Sequence, residues 1–203
     1  MAQKRKMVSI RQARVDDAAS IAEGIYEAFL LPGSEMENDP SFHQQWIDAL
    51  TAICAQTDTQ YSYTNTLVAE ADGEIAGIMI AVDGAIYRYQ RGRMFPQLKM
   101  LFDKVFGQGW EEMEDEAQAG ELYVDSIAVF PAYRHRGIGT SMLLHAQQRA
   151  KELNIPLVTL AVEPTNAAKK LYHELGFSYN RQITIFNEEY ELLVADGATR
   201  ETI

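Results

Sequence analysis

The sequence predicts an α/β (α+β) protein in which seven strands are interleaved with helices. Three observations predict it. Thr66 to Ala71, Asp72-Gly73 and Glu74 to Val82 read as two strands joined by a two-residue turn, with Asp-Gly supplying the positive φ angles that a primed turn needs. Leu157 to Val162 is a near-continuous apolar strand bounded by Pro156 and Pro164. Around it, strand and helix patterns alternate: a strand at Glu121 to Val129, a helix at Thr140 to Leu153 and a second helix at Asn166 to Leu175.

The remaining elements follow in chain order. Val8 to Ala13 reads as a short strand, and Asp16 and Asp17 open a helix where carboxylates meet the positive end of its dipole. Ile21, Ile25 and Phe29 give that helix its apolar stripe. Asp39-Pro40 is an N-cap followed by proline at the first helical position. Phe42, Trp46, Leu50 and Ile53 then line one helical face and are core residues. Asp83 to Gly120 is too long for a plain loop and predicts a helix near Gln97 to Phe106, where Leu98, Leu101, Phe102 and Val105 recur at helical spacing. In the helix of 140–153, Leu143, Ala146, Ala150 and Leu153 face inward. Gly176 stops the next helix. Strands near Phe177 to Phe186 and Tyr190 to Ala195 are joined by Asn187-Glu188-Glu189. The organisation is one domain over 1–196, with 83–120 inserted between the third and fourth strands, and a flexible tail at 197–203.

Composition narrows the function classes. The 203 residues carry 18 Lys+Arg against 29 Asp+Glu, a net charge of −11, which argues against nucleic acid and anionic membrane surfaces as partners. An apolar share of 47% with 23% charged residues fits a folded chain. The single Cys54 excludes an internal disulfide framework and a cysteine zinc ribbon, and it reads as a small buried hydrophobe. His43, His135, His145 and His173 show no metal-ligand spacing, so no metal is expected. No apolar run approaches the roughly 20 residues of a spanning helix, and none follows Lys4-Arg5-Lys6 as a signal peptide requires. The expected location is cytoplasmic.

Chemistry concentrates in Arg134-His135-Arg136-Gly137-Ile138-Gly139-Thr140, between a strand and a helix. Two glycines one residue apart let the backbone turn tightly and aim successive N–H groups into one concavity, to which the following helix adds its free N–H groups and dipole. Such a site suits phosphate. It is no Walker A loop, since no Gly-Lys-Ser/Thr follows, and Met142 stands where the dinucleotide fingerprint needs Gly or Ala. Taken alone, the Gly-x-Gly reads more readily as a plain turn into a helix. From Phe130 to Ala150 there are three arginines (Arg134, Arg136, Arg149) and no carboxylate, a local basic island that a polyanion could approach.

The segment Leu122 to Phe177 resembles the acetyl-CoA-dependent N-acetyltransferases of the GNAT superfamily. Ile127-Ala128-Val129 followed by Pro131 and Tyr133 resembles the end of the family's fourth strand. Arg134-x-x-Gly137-x-Gly139 resembles its pyrophosphate loop, Gln/Arg-x-x-Gly-x-Gly/Ala. Ala168-x-x-Leu171-Tyr172 ending in Leu175-Gly176-Phe177 resembles its fourth helix and the turn after it. The match extends over Glu121 to Val194.

The resemblance implies a mixed, GNAT-like central sheet of about seven strands, flanked by helices and splayed between the fourth and fifth strands to take the pantetheine arm of acetyl-CoA, the co-substrate. Ile127, Ala128 and Val129 would offer backbone hydrogen bonds to that arm, and Arg134, His135, Arg136, Gly137, Ile138, Gly139 and Thr140 would hold the pyrophosphate, chiefly through backbone N–H groups. By the same resemblance, the Val129 N–H would be the donor for the developing oxyanion. Tyr172 matches the position of the general acid and, with an ordinary pKa near ~10, can protonate the departing thiolate. The family's Asn seven residues earlier is Thr165 here, with Asn166 one residue late, so either Asn166 swings in to the arm, or the Thr165 hydroxyl substitutes, or the contact is missing.

An alkyl ammonium is unprotonated in only about one molecule in a few thousand at pH 7, so a base is useful. Glu121 and Asp125 are the available carboxylates, four apart on one strand and therefore on one face. The reading is an N-acetyltransferase acting on a primary amine by direct attack, the acceptor being a small molecule or peptide. The alternatives are a non-catalytic CoA-binding or sensing module on the same fold, and a nucleotide-phosphate binder that uses the glycine loop without CoA. A homodimer stays open. The acidic run Glu111, Glu112, Glu114, Asp115 and Glu116, with no base among them, would either draw in a cationic acceptor or serve as a solvated surface.

Overall fold

The computed structural model describes residues 8–29, 39–110 and 113–197. Seven strands, β1 (Val8–Gln12), β2 (Thr66–Ala71), β3 (Glu74–Asp83), β4 (Glu121–Val129), β5 (Leu157–Val162), β6 (Ser178–Ile185) and β7 (Glu188–Asp196), form one mixed sheet in the order β1-β2-β3-β4-β5-β7-β6. The helices are α1 (Ala18–Phe29), α2 (Pro40–Cys54), α3 (Tyr87–Phe106), α4 (Ile138–Glu152) and α5 (Lys169–Glu174). β4 and β5 run parallel, with Glu121 opposite Leu157 and Val124 opposite Leu160. Their pairing ends there, although β4 continues to Val129, so Asp125 is the first residue of β4 beyond the ladder.

The chain divides into two compact units, each built from separate segments. The first comprises residues 1–57, 61–80 and 126–142. Asp39 caps α2 as its sequence predicts, its carboxylate accepting from the N–H groups of Ser41 and Phe42 at 3.0 and 3.1 Å. Ile21 and Ile25 of α1, Phe42, Trp46, Leu50 and Ile53 of α2 and Val68 and Ile78 of the sheet are all buried. Gly24 makes the close approach of α1 to β3 feasible, because a Cβ there would stand 2.2 Å from Ile78 Cγ1. Asp16 and Asp17 lie in a 3₁₀ turn just before α1 rather than inside it. Asp17 accepts from the Arg14 N–H and from the Arg11 guanidinium at 2.7 Å, which holds its carboxyl below the ordinary range. Cys54 is fully buried, and burial pushes its thiol up.

The second unit comprises residues 58–60, 81–125 and 143–203. Several sequence expectations need correction here. Leu153, expected to face inward, lies past the end of α4 and is 50% exposed, and α5 begins at Lys169 rather than near Asn166. The inserted helix begins at Tyr87, ten residues before the Gln97 start read from apolar spacing. Its inward face carries Tyr87, Gln90, Arg91, Met94, Leu98 and Phe102, so two polar side chains interrupt the stripe, and Pro96 lies inside the helix. The last hairpin turns at Phe186-Asn187, both with positive φ, and Glu188 and Glu189 pair in the ladder opposite Ile185 and Thr184. Phe186 explains that register. It stacks on Phe106 at 4.0 Å and meets Phe102 edge-on at 5.5 Å, so packing on α3 selects the turn. The expected tail lies outside the described residues apart from Gly197.

Candidate active site

The predicted cofactor residues Ile127, Ala128, Val129 and Arg134 to Thr140 fall in the first unit. A short turn, Pro131–Tyr133, leads from β4 into the loop. His135 (φ 61°) and Gly137 (φ 75°) adopt left-handed backbone, which tightens the chain before α4 begins at Ile138. The Ser141 N–H already donates to the Gly137 carbonyl at 3.0 Å, leaving the amides before it as the free N–H groups that open α4. Gly139 is more telling. Its φ is ordinary and a Cβ on it would meet nothing within 4 Å, so protein packing does not require glycine there. The open space above Gly139 leaves the backbone accessible, the geometry in which a helix N-terminus can take an anion.

The two loop arginines are already engaged. Arg134 donates from Nε to the Val129 carbonyl at 3.0 Å and pairs with Glu27 of α1 at 2.5 Å. Arg136 donates to the Ala132 carbonyl at 2.8 Å and lies over the Tyr133 ring. The loop therefore offers backbone N–H groups more than free guanidinium charge. Beside it, the Phe130 N–H donates to the Ala76 carbonyl at 2.9 Å. A Cβ on Gly77 would stand 2.6 Å from the Ala128 carbonyl oxygen, so β3 and the end of β4 approach closely at the residues assigned to the pantetheine arm.

The other predicted residues, Glu121, Asp125, Thr165, Asn166 and Tyr172, fall in the second unit. Helix α5 has only six residues, fewer than a stable isolated helix needs, and tertiary contacts hold it. Gly176 (φ 90°) closes it, with the Phe177 N–H donating to the Tyr172 carbonyl and the Gly176 N–H to that of His173. Gln147 of α4 donates to the Leu175 carbonyl at 3.0 Å, and Lys169 pairs with Glu191 of β7 at 2.6 Å. Tyr172 is thereby fixed with 8% of its surface exposed, its ring edge-on to Phe177. Burial raises its pKa, so the hydroxyl stays protonated at neutral pH. Thr165 and Asn166 are exposed, and the Asn166 side-chain oxygen Oδ1 caps the turn by accepting from the Ala168 N–H at 2.9 Å. Of the two carboxylates on β4, Glu121 accepts from the Gln118 N–H at 3.0 Å and caps the turn before the strand. Asp125 is half-buried and accepts from the Gln60 side-chain amide at 2.5 Å.

A glycine loop opening a helix at the end of β4, a parallel ladder that stops at Val124, and a buried tyrosine on α5 now stand together with the comparisons. The profile of the acetyltransferase (GNAT) family matches residues 22–177. The chain belongs to the acetyltransferase (GNAT) family. Its fold recurs in a solved acetyltransferase that is 28% identical (TM-score 0.71), covering 94% of this chain and all of that one. It recurs also in an N-acetyltransferase from Staphylococcus aureus Mu50 at 27% identity (TM-score 0.73), covering 92% of this chain and all of that one. The PaiA N-acetyltransferase from Thermoplasma acidophilum, solved in complex with coenzyme A, shares the fold at 15% identity (TM-score 0.55), over 94% of this chain and 99% of its own. No curated protein matches the sequence.

In this GNAT protein the acidic run is not the base-free cluster that its sequence suggests. Glu111 and Glu112 lie outside the described residues. Glu114 pairs with Arg181 at 3.2 Å, and Asp115 pairs with Arg88 and Arg91, side chains brought from α3 and β6. Glu116 is buried. Its two oxygens accept from the hydroxyls of Tyr87, at 2.8 Å, and Tyr123. Burial and the nearby charge of Asp125 push its pKa up to about 7, against the opposing pull of both hydroxyls and of Arg91. The sequence offers Glu116 only as one member of an acidic run, either drawing in a cationic acceptor or forming a solvated surface, and does not show its burial: its partners lie 29 and 7 residues away and carry no motif. Among the described residues no group of His, Cys, Asp and Glu could hold a metal, and no helix is long and apolar enough to cross a membrane.

Proposed function

We propose that this GNAT protein transfers the acetyl group of acetyl-CoA to the primary amine of a small molecule or peptide by direct attack, in the cytoplasm and without a metal. The observation that carries the reading is the loop 134–140: two glycines, one of which serves no packing purpose, open α4 with unspent backbone N–H groups. The coenzyme A complex of the PaiA relative supports the same ligand chemistry. When bound, acetyl-CoA supplies an activated acyl group and a thiolate leaving group. The N–H groups of residues 135–140 hold the pyrophosphate, and the backbone of Ile127 to Val129 orients the pantetheine arm. Arg134 serves indirectly, tying the Val129 carbonyl to Glu27. Thr165 takes the place of the family's Asn, because the Asn166 oxygen is spent on its own turn. Asp125 receives the amine proton, in preference to Glu121, whose carboxylate caps a turn. Tyr172, held protonated, gives a proton to the thiolate.

Calorimetry with acetyl-CoA, CoA and ATP, followed by an acceptor screen that reads released CoA thiol, tests the reading. Binding of CoA and acetyl-CoA well ahead of ATP is expected, with thiol release for at least one class of amine. Equal affinity for ATP would remove the pantetheine assignment. Tight CoA binding with no thiol release for any amine would leave a non-catalytic CoA-binding module.

A further inference from the structure

We propose that Glu27 of α1 is a positioning residue for acetyl transfer: through Arg134 it holds the Val129 carbonyl, and so aims the Val129 N–H at the acetyl oxygen. The inference rests on the acetyl-transfer reading and deepens it by a residue that no motif marks, 107 positions from its partner. All of its parts lie in the first compact unit. Helix α1 is docked one turn before Glu27, where Gly24 lets it approach Ile78 of β3 and Ile25 is buried beside it. Glu27 Oε1 accepts from Arg134 Nη2 at 2.5 Å, and Arg134 Nε donates to the Val129 carbonyl at 3.0 Å. One planar guanidinium thus spans both acceptors. Because that fork is rigid, holding Nη2 fixes the direction of Nε. The backbone brings Arg134 within reach by the turn Pro131–Tyr133, in which the Tyr133 N–H donates to the Phe130 carbonyl at 2.8 Å.

The direction of the Val129 peptide groups follows from the strand. The Phe130 N–H donates to the Ala76 carbonyl of β3 at 2.9 Å. Successive residues of an extended chain turn their peptide groups to opposite sides, so the N–H and C=O of Val129 both point away from β3. The carbonyl therefore takes its donor from a side chain rather than from that ladder. As the amine attacks, negative charge gathers on the acetyl oxygen at the Val129 N–H. A bare carbonyl on the same side of the chain would repel that charge, and Arg134 covers it. The carboxylate of Glu27 fits this role and not phosphate binding. Residues 130–150 contain no Asp or Glu, yet the fold brings one from α1 to the first arginine of the loop. A carboxylate beside a phosphate loop repels its ligand unless it is neutralised, and here it is neutralised by the arginine it orients. Glu27 so withholds Arg134 from phosphate and keeps it on Val129. Affinity for the pyrophosphate then depends on backbone N–H groups, and the rate of transfer depends on Glu27.

The test compares wild type with Glu27→Ala, Glu27→Gln, Arg134→Ala and the Glu27→Ala/Arg134→Ala double variant. An ion pair whose side chains are 48% and 29% exposed adds little to stability, so the variants keep the fold. Three quantities are read: water exchange of the Arg134 Nε–H by nuclear magnetic resonance in the free protein, CoA affinity by calorimetry, and the single-turnover rate of acetyl transfer. The acceptor is the primary amine that releases most thiol in the acceptor screen. Glu27→Ala should speed exchange of the Nε–H and slow transfer roughly tenfold, with CoA affinity changed less than about twofold. Glu27→Gln keeps an acceptor for Nη2 and should recover part of the rate. The double variant should be no slower than Arg134→Ala by more than about twofold, because the two residues act as one unit. A Glu27→Ala rate within twofold of wild type, or a change in CoA affinity larger than the change in rate, would overturn the inference and leave the acetyl-transfer reading standing. A wild type that binds acetyl-CoA and releases no thiol with any amine would overturn that reading and this inference with it.

Discussion

Replacing Glu116 by Gln should make the protein's stability less sensitive to alkali, by an amount that follows from burial. The carboxyl is raised from its ordinary 4.5 to about 7 in the folded state, so between those values the folded chain binds a proton that the unfolded chain has released. Stability contributed by that proton is complete below pH 4.5 and is lost as pH rises through 7. A difference of about 2.5 units corresponds to ~3 kcal/mol. Glutamine has no such titration. It does leave one of the two tyrosine hydroxyls without its acceptor, a cost of about 1–3 kcal/mol that does not depend on pH. Comparing the two proteins at two pH values therefore separates charge from hydrogen bonding. In urea unfolding followed by circular dichroism, the substitution should appear destabilising near pH 4.5. It should become near neutral or stabilising at pH 8, the relative change being about 3 kcal/mol, or ~1.5 M in midpoint for an m-value of roughly 2 kcal/mol per M. The same free-energy difference at both pH values would refute the argument, since Glu116 would then not change its charge in that window.

Three further outcomes are expected. Gly139→Ala should leave the melting temperature unchanged within about 2 °C, because its Cβ meets nothing, yet weaken CoA binding at least tenfold by calorimetry. Tyr172→Phe should lower kcat by roughly 10²–10⁴ in a thiol-release assay with little change in CoA affinity, since the ring is retained. Gly24→Ala should cost about 1–3 kcal/mol in chemical denaturation, because Ile78 must move out of the way of the new methyl group.

Local chemistry wrote much of the fold into the chain. The Asp72-Gly73 turn with its two strands, the Asp39-Pro40 cap and the Gly176 stop are each specified by a few adjacent residues, and each stands where its residues predict. The bounds of β4 and β5 are legible for the same reason, as is the glycine loop that opens α4. What the chain did not disclose locally depends on partners far away. The first two turns of α3 bury Gln90 and Arg91, which look like solvent-facing residues until Asp115 and the carbonyls of the 113–114 segment satisfy the guanidinium. The hairpin β6–β7 turns at Phe186 because that ring finds Phe106 and Phe102 on α3. Glu116 belongs to the same class. Within its acidic run it is one carboxylate among several, and only folding removes it from water, sets two tyrosine hydroxyls on it and brings Asp125 near. A residue's charge state is a property of its surroundings, and for Glu116 those surroundings exist only in the tertiary structure.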